Sequence, residues 1–202
     1  AEDGIRDVER SRGLGDVYKR QDHHRSLRCG MSEVIYCPGK TTEQVVEIFA
    51  KLAETGNNVL ATRAEKVTYD AVARKVPNAD YEENARAIVL RQDSKKEKEG
   101  LIALVSAGTS DIPVAEEARV TADLLNQAVE TIYDVGVAGL HRLLQHCEQI
   151  QHANVVIVVA GMEGALASVV GGLVSVPVIA VPTSIGYGTS FSGLAPLLTM
   201  VR

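Results

Sequence analysis

The stretch Leu101–Ala118, LIALVSAGTSDIPVAEEA, decides the fold of this chain. It begins with a run of apolar residues, continues through a loop of small and hydroxyl-bearing residues, and enters a helix near Pro113. A short apolar run without polar alternation predicts a strand that is buried on both faces, as in a parallel sheet. A strand that leads through a glycine-containing loop into a helix is the repeating unit of α/β folds.

Three more short apolar runs follow, and each is separated from the next by a segment with helical spacing. In Val114–Asn126, for example, Val114, Ala118, Ala122 and Leu125 lie on one helical face. The runs themselves are Val129–Tyr133, Val155–Ala160 and Pro177–Val181. The repeated order of strand and helix predicts a right-handed, doubly wound parallel sheet over residues 101–202. Ligands of such sheets bind at the carboxyl ends of the strands, which directs attention to the loops there.

A smaller α/β domain is predicted before this sheet, in residues 22–91. Thr41 and Gln44 form a capping-box pattern at the start of a helix, and Gly56 supplies its left-handed stop. A second helix is expected from Thr68 to Val76. The strands of this domain are expected at Val34–Cys37, Val59–Thr62 and Ala87–Leu90.

Two segments are expected to lie outside both domains. Residues 92–100 include the charged run KKEKE and predict a linker. Residues 1–21 show no helical or strand period, and part of them resembles translated sequencing adapter. They are predicted to be an artefact or a disordered tail without function.

Composition excludes several classes of partner. The net charge of -5 and the pI near 5.6 argue against a nucleic-acid partner, which would require a basic surface. Cys29, Cys37 and Cys147 lie in neither a Cys-x-x-Cys nor a Cys/His spacing, so they indicate a reducing compartment and no structural zinc. No apolar run approaches the roughly 20 residues of a membrane span, and no signal peptide is visible. We therefore expect a cytoplasmic protein with no membrane partner.

The loop after the first strand of residues 101–202 is suited to binding an anion. Glycine at position 108 lets backbone N–H groups approach a ligand, and the following helix N-terminus adds a favourable dipole. The hydroxyls of Ser106, Thr109 and Ser110 are candidates to hold phosphate oxygens, beside Gly108. The alternative is that Ser110 or Asp111 only caps the helix, and this loop alone leaves both interpretations open.

The loop after the second strand contains Gly136 and leads into a helix with His141 and Arg142 in its first turns. Arg142 is a candidate clamp for a phosphate or carboxylate. His141 is interpreted as a hydrogen-bonded structural group in preference to an acid or base.

The remaining two loops complete the predicted site. Glu163, between Gly161 and Gly164, is a candidate general base, or alternatively a first-turn carboxylate that stabilises the helix dipole. The last loop predicts a wall that hydrogen-bonds and stacks on a ring, formed by Thr183, Ser184, Gly186, Tyr187 and Gly188. Because four such loops converge at one sheet edge, they predict a binding site for a phosphorylated small molecule.

Four segments together resemble the LarB family, the carboxylase/hydrolases that begin the synthesis of the nickel-pincer nucleotide cofactor. The segments are SAGTSDIPVAEE (106–117), YDVGVAGLHRLL (133–144), AGMEGALASVVGGL (160–173) and VIAVPTSIGYG (178–188). The resemblance covers nearly everything from Asp22 onward. The C-terminal half is also similar, more distantly, to the PurE aminoimidazole ribonucleotide carboxylases and mutases, which implies a PurE-like doubly wound sheet.

The resemblance implies a reaction on nicotinic acid adenine dinucleotide. Its pyridinium ring would gain a carboxylate from CO2, and its phosphoanhydride would be hydrolysed to give pyridinium-3,5-biscarboxylic acid mononucleotide and AMP. Glu163 matches the family's glutamate that removes the ring proton. Asp111, with Ser110 and Thr109, matches the family's phosphate-side loop, where the resemblance implies Mg2+. No bound organic cofactor is expected. The family also suggests a homo-oligomer, an octamer.

This sequence departs from the family pattern in two places. Ala167 stands where the family usually has proline, which removes no functional group. The family's cysteine, which adds to the ring, lies in an Asn-Ser-Cys-Ala segment after Leu-Leu-Thr-Met, whereas here Met200 is followed only by Val201 and Arg202. The expectation is a C-terminally truncated member that binds substrate without completing the carboxylation.

Two alternatives to this function stay open. The first is a PurE-like carboxylase or mutase that acts on an aminoimidazole ribonucleotide, which the phosphate loop permits. The second is a non-catalytic module that binds adenylates without turnover.

Overall fold

The computed structural model describes residues 33–92, 98–185 and 188–201. The predicted tail 1–21, Cys29, most of the predicted linker, Gly186 and Tyr187 lie outside these residues. The chain divides into two compact units, 1–95 and 96–202, and the division falls inside the predicted linker. Within the described residues, no helix is long and apolar enough to cross a membrane.

Within its described residues, 33–92, the N-terminal unit contains a four-stranded mixed sheet and two helices. Its elements are β1 (Val34–Tyr36), α1 (Thr42–Ala53), β2 (Val59–Thr62), α2 (Lys66–Lys75), β3 (Asp80–Glu82) and β4 (Ala87–Leu90). The strand order is β1-β2-β4-β3, in which β1 and β2 are parallel and β4 is antiparallel to both neighbours. Strand β3 is not predicted from the sequence, because its residues Asp-Tyr-Glu show no apolar pattern and only its pairing with β4 defines it.

Helix α1 confirms the capping-box prediction. The Thr41 hydroxyl accepts a hydrogen bond from the Gln44 backbone N–H at 3.3 Å, and the Gln44 side chain accepts one from the Thr41 N–H at 3.0 Å. Gly56 has a φ of 75°, which is the left-handed stop expected there. The apolar face of α1 includes Val45 and Phe49, both fully buried in the core of this unit.

The C-terminal unit alternates strands and helices as predicted. Its strands are β5 (Glu99–Ser106), β6 (Gln127–Ile132), β7 (Val155–Ala160) and β8 (Val178–Pro182). Its helices are α3 (Ile112–Leu124), α4 (Leu140–Gln145), α5 (Cys147–Gln151), α6 (Ala165–Leu173) and α7 (Leu194–Met200), with 3-10 turns at Thr109–Asp111, Val137–Gly139 and Gly188–Gly193. The four strands are parallel in the order β6-β5-β7-β8, which confirms the α/β class and the parallel sheet.

The sheet buries both of its faces. On one face Val156 and Val158 pack with Leu143, Ile150 and Leu166 of helices α4, α5 and α6. On the other face Leu104 and Val159 pack against Ala115 of helix α3. Because both faces are covered, the strands are apolar at successive positions, which is the pattern from which they were predicted.

Strand β5 begins two residues inside the predicted linker. The Glu99 N–H donates to the Asn126 carbonyl at 2.9 Å, and Glu99 pairs with Gln127 of β6. Glu99 and Gly100 therefore belong to the sheet, although their composition resembles that of the linker. The start of β5 is therefore determined by backbone pairing and cannot be recognised from the side chains of Glu99 and Gly100.

The strand order places a crevice beside the carboxyl end of β5. From β5 the chain first runs to β6 on one side and then crosses to β7 on the other side. The loops after β5 and β7 therefore leave the sheet as neighbours, with Ser106 paired to Val159. Ligands of open α/β sheets bind at such a switch point.

Candidate active site

A cavity of about 490 Å3 lies at this switch point. Its walls come from the loops after all four strands of the sheet. The predicted site residues that line it are Gly108, Ser110, Asp111, Gly136, Arg142, Gly161 and Glu163. The predicted residues Ser106, Thr109, Gly164, Thr183 and Ser184 are not part of its lining, although they belong to the same loops.

The loop after β5 presents some hydroxyls to solvent and buries others. Ser110 is exposed and lines the cavity, and Thr109 beside it is exposed as well. Ser106 is fully buried, and its Oγ accepts a hydrogen bond from the Asp134 N–H at 3.4 Å. Ser106 therefore joins two loops instead of facing a ligand. The sequence could not separate these hydroxyls, because the distinction depends on tertiary burial.

Asp111 is also a buried residue, with 4% of its surface exposed. Its Oδ2 accepts a hydrogen bond from the Gly108 N–H at 3.0 Å, and its Oδ1 accepts one from the Thr183 hydroxyl at 2.7 Å. Both carboxylate oxygens are thus engaged within the protein. The carboxylate closes the 3-10 turn at Thr109–Asp111 and reaches across to the loop after β8.

Arg142 reaches the cavity from helix α4 and is held in place by its neighbours. Its Nη1 donates to the Asp134 carboxylate at 2.6 Å, and both side chains are partly exposed. A Cβ at Gly139 would lie 2.5 Å from the Arg142 Nε, so the guanidinium packs closely against the backbone of Gly139. An arginine held in this way keeps donors available for an anionic group.

His141 does not take part in this arrangement. It is exposed, and it is not among the residues that line the cavity. An acid or base role for His141 has no geometric support.

The end of β6 is fixed to helix α3 by a tyrosine. The Tyr133 hydroxyl donates a short hydrogen bond to the Glu116 carboxylate, which also pairs with Arg119 at 2.9 Å. Burial, followed by this carboxylate, raises the pKa of Tyr133 above its ordinary value. The tyrosine therefore stays protonated and keeps its donor role at any physiological pH.

Glu163 lies on the loop after β7 and is one of the residues that line the cavity. Helix α6 begins at Ala165 with Gly164 as its N-cap, so Glu163 precedes the helix and is not a first-turn residue. The turn is tight, with Met162 and Gly164 both in the left-handed region at φ 54° and 72°. The carboxylate is exposed and lines the cavity. Its position is compatible with a base that meets a bound substrate.

The loop after β8 lies against the loop after β7. Ile185 lines the cavity and its carbonyl accepts a hydrogen bond from the Met162 N–H at 3.0 Å. Thr183 is buried, with 4% exposed, whereas Ser184 is exposed. Eight further lining residues were not predicted, namely Ala107, Val137, Ala138, Ala160, Met162, Ala165, Leu166 and Ile185. They are small or apolar and carry no chemical signal in the sequence.

Two family models match this chain. Residues 101–202 match the family described as AIR carboxylase, and residues 13–92 match the LarB/PurE-like N-terminal domain. The chain belongs to the AIR carboxylase family. It is also similar to an uncharacterised protein of Methanocaldococcus jannaschii, at 40% identity over 189 residues, which are 90% of this chain and 73% of the relative. The N-terminal match includes residues 13–21, which fall within the predicted tail.

Neither cysteine that the structure describes lies at the AIR carboxylase cavity. Cys37 is buried in the N-terminal unit, and burial raises the pKa of its thiol to about 11. Cys147 is partly buried at the start of helix α5, away from the residues that line the cavity. The described residues therefore supply no thiol to the cavity lining.

Magnesium at Asp111 does not fit the geometry of this AIR carboxylase domain. A magnesium ligand must offer an oxygen to an ion that keeps most of its waters, whereas both Asp111 oxygens are buried and hydrogen-bonded. In the part of the chain that the structure describes, no group of three histidine, cysteine or acidic residues could hold a metal. The magnesium requirement implied by the LarB resemblance stays a prediction.

Proposed function

We propose that this protein serves the carboxylation of the pyridinium ring of nicotinic acid adenine dinucleotide and the hydrolysis of its phosphoanhydride, in a reaction that also needs a thiolate beyond the described residues. The products would be pyridinium-3,5-biscarboxylic acid mononucleotide and AMP. The family models support a carboxylase of the LarB and PurE superfamily. The observation that carries the finer proposal is one cavity bordered by a hydroxyl-bearing glycine loop, by Arg142 and by the Glu163 carboxylate.

The phosphate side of the proposal rests on the loop after β5 and on Arg142. The first N–H groups of a helix lack intrahelical partners, and a glycine loop lets an anion approach them. Ser110 adds a hydroxyl and Arg142 a positive charge at the same cavity. Together they suit a phosphoanhydride or phosphate monoester better than a neutral ligand.

The ring side rests on Glu163. In the proposed reaction a thiolate adds to the ring, and the ring carbon thus made electron-rich forms a bond to CO2. The C–H bond at that carbon then breaks, its proton passes to Glu163, and the thiolate leaves as the ring regains aromaticity. No oxidant or reductant is required. The described residues provide the base and not the thiol.

A binding comparison tests the substrate. Purified protein is titrated with nicotinic acid adenine dinucleotide, AMP and an aminoimidazole ribonucleotide in separate calorimetric experiments. We expect the dinucleotide to bind more tightly than AMP, because in this proposal both its anhydride and its pyridinium ring would contact the cavity, whereas AMP lacks both groups. Preference for the aminoimidazole ribonucleotide over both adenylates would overturn the proposal.

That outcome would favour the second candidate, a PurE-like carboxylase or mutase. The match of residues 101–202 to the AIR carboxylase model supports this candidate directly. The LarB/PurE-like N-terminal domain of residues 13–92 supports the first. Equal binding of AMP and the dinucleotide, without any product, would instead favour a non-catalytic adenylate-binding module.

The role of Glu163 has its own test, in the chain extended by the family's Asn-Ser-Cys-Ala segment. We expect Glu163→Gln to bind the dinucleotide within about threefold of the unsubstituted protein, since the change keeps size and polarity, and to lose at least about a hundredfold in carboxylation rate. Mass spectrometry of the carboxylated mononucleotide gives the rate. Glu148→Gln, an exposed glutamate on helix α5 away from the cavity, is the matched control and should keep normal turnover.

A further inference from the structure

A buried hydrogen bond joins the loop after β5 (107–112), here called the phosphate loop, to the loop after β8. Asp111 and Thr183 are each only 4% exposed, and the Thr183 hydroxyl donates to the Asp111 Oδ1 at 2.7 Å. The residues are 72 positions apart in sequence, so the contact bridges the loops after β5 and β8. Hydrogen bonds to an ionised acceptor are roughly twice as strong as neutral ones, and burial protects this one from competing water.

Thr183 is also bound to the end of strand β7, where the loop that carries Glu163 begins. Its N–H donates to the Ala160 carbonyl at 3.0 Å, at the end of β7. A Cβ at Gly161 would lie 2.7 Å from the Thr183 Oγ1 and 2.0 Å from the Ile185 carbonyl oxygen, so the two loops are in close contact there. Thr183 therefore connects the loop that offers Ser110 to the loop that offers Glu163.

We infer that Asp111 is a positioning residue, which acts through Thr183 to fix the phosphate loop relative to the Glu163 loop. Its remaining oxygen accepts from the Gly108 N–H and closes the turn from which Ser110 projects. The Asp111 carboxylate thus sets both the shape of the turn and the distance of the turn from the loop after β8. This role uses both oxygens inside the protein and assigns Asp111 no metal.

The first experiment needs no ligand. Hydrogen exchange by mass spectrometry compares wild type, Thr183→Val and Thr183→Ser over residues 107–112 and 161–164. We expect Thr183→Val to speed exchange in both loops by about tenfold, because a buried carboxylate oxygen loses its partner, while β5 and β7 stay protected. Thr183→Ser restores the hydroxyl and should return both loops to slow exchange.

The matched control is Thr68→Val, at a threonine of similar burial (8% exposed) in the N-terminal unit. It should leave both loops unchanged. Exchange at the wild-type rate in Thr183→Val would overturn the inference, because the hydrogen bond would then not hold the two loops together. An equal increase across the whole sheet would also overturn it, because the hydrogen bond would then contribute only to global stability.

The second experiment separates positioning from metal ligation, and it rests on the proposed function because it uses AMP as the probe. AMP affinity is measured with and without Mg2+ for wild type, Asp111→Asn and Thr183→Val. In Asp111→Asn the asparagine can still accept a hydrogen bond from the Gly108 N–H and donate one to the Thr183 oxygen. We therefore expect its affinity for AMP to fall by no more than about threefold and its response to Mg2+ to stay unchanged. Thr183→Val should lower the affinity for AMP about tenfold, and its affinity should respond to Mg2+ as that of the wild type does.

A response to Mg2+ that disappears in Asp111→Asn and persists in Thr183→Val would overturn the inference and assign Asp111 to the metal. Failure of wild-type protein to bind AMP would count against the proposed function alone. The exchange experiment would still decide the positioning role in that case.

Discussion

Single residues at this site are constrained mostly by the backbone of a neighbouring loop, and Gly161 shows the constraint most clearly. A Cβ there would meet the Ile185 carbonyl oxygen at 2.0 Å, and backbone cannot move aside as a side chain can. We expect Gly161→Ala to lower the free energy of unfolding of the C-terminal unit by about 1–3 kcal/mol, the typical cost of overpacking. It should also weaken AMP binding, because the loops after β7 and β8 must separate.

The matched control for this change is Gly171→Ala in helix α6. A Cβ at Gly171 meets nothing within 4 Å, and alanine favours a helix over glycine by roughly 0.5–1 kcal/mol. Urea denaturation of both variants should therefore move in opposite directions. If Gly161→Ala proved as stable as Gly171→Ala, the close approach of the two loops would not exist in solution.

Among the secondary-structure elements, the strands that show a local apolar pattern were predicted from the sequence. The strands and strand ends that are defined only by backbone pairing were missed. The four strands of the C-terminal sheet were predicted to within two residues at each end, because each is a buried apolar run. Strand β3 and the first residues of β5 were missed, since backbone partners define them. The loops of the site were found in the same way as the strands. The sequence did not predict which hydroxyls of these loops are buried. Ser106 and Thr183 show that their burial depends on contacts between loops.

The capping box of helix α1 gives a prediction at this scale. Thr41→Ala removes the hydroxyl that accepts from the Gln44 N–H, and we expect it to destabilise the N-terminal unit by about 1 kcal/mol. Hydrogen exchange of residues 42–53 in increasing urea measures the change. Thr42→Ala is the control, one position further on, where alanine is a better helix former and should be neutral or slightly stabilising. Equal effects of the two substitutions would mean that the cap hydrogen bonds contribute nothing.

For the whole molecule, the central question is whether binding and chemistry reside in the same 202 residues. The cavity, Arg142 and Glu163 are in place in the C-terminal unit. The proposed chemistry also needs a thiolate at the ring, and neither Cys37 nor Cys147 lines the cavity. Cys37 is disfavoured further by its raised pKa of about 11. At pH 8 a thiol with such a pKa is ionised in only about a thousandth of the molecules.

We therefore predict that this chain binds nicotinic acid adenine dinucleotide and forms no carboxylated product. Loss of a covalent nucleophile costs on the order of 10⁶ in rate in other enzymes, while ground-state binding can persist. The assay supplies the dinucleotide, bicarbonate and Mg2+ and follows the mononucleotide product by mass spectrometry, beside the chain extended by the Asn-Ser-Cys-Ala segment.

The pH dependence of any product identifies an unexpected nucleophile. If Cys37 acted in place of the family's cysteine, the rate would rise steadily from pH 7 towards pH 11, because the raised pKa withholds the thiolate below that range. Product that disappears in Cys37→Ser, Cys147→Ser or Cys29→Ser would assign the thiol to that residue. Product that survives all three substitutions would show that the ring is carboxylated without a cysteine, and the covalent route proposed above would have to be abandoned.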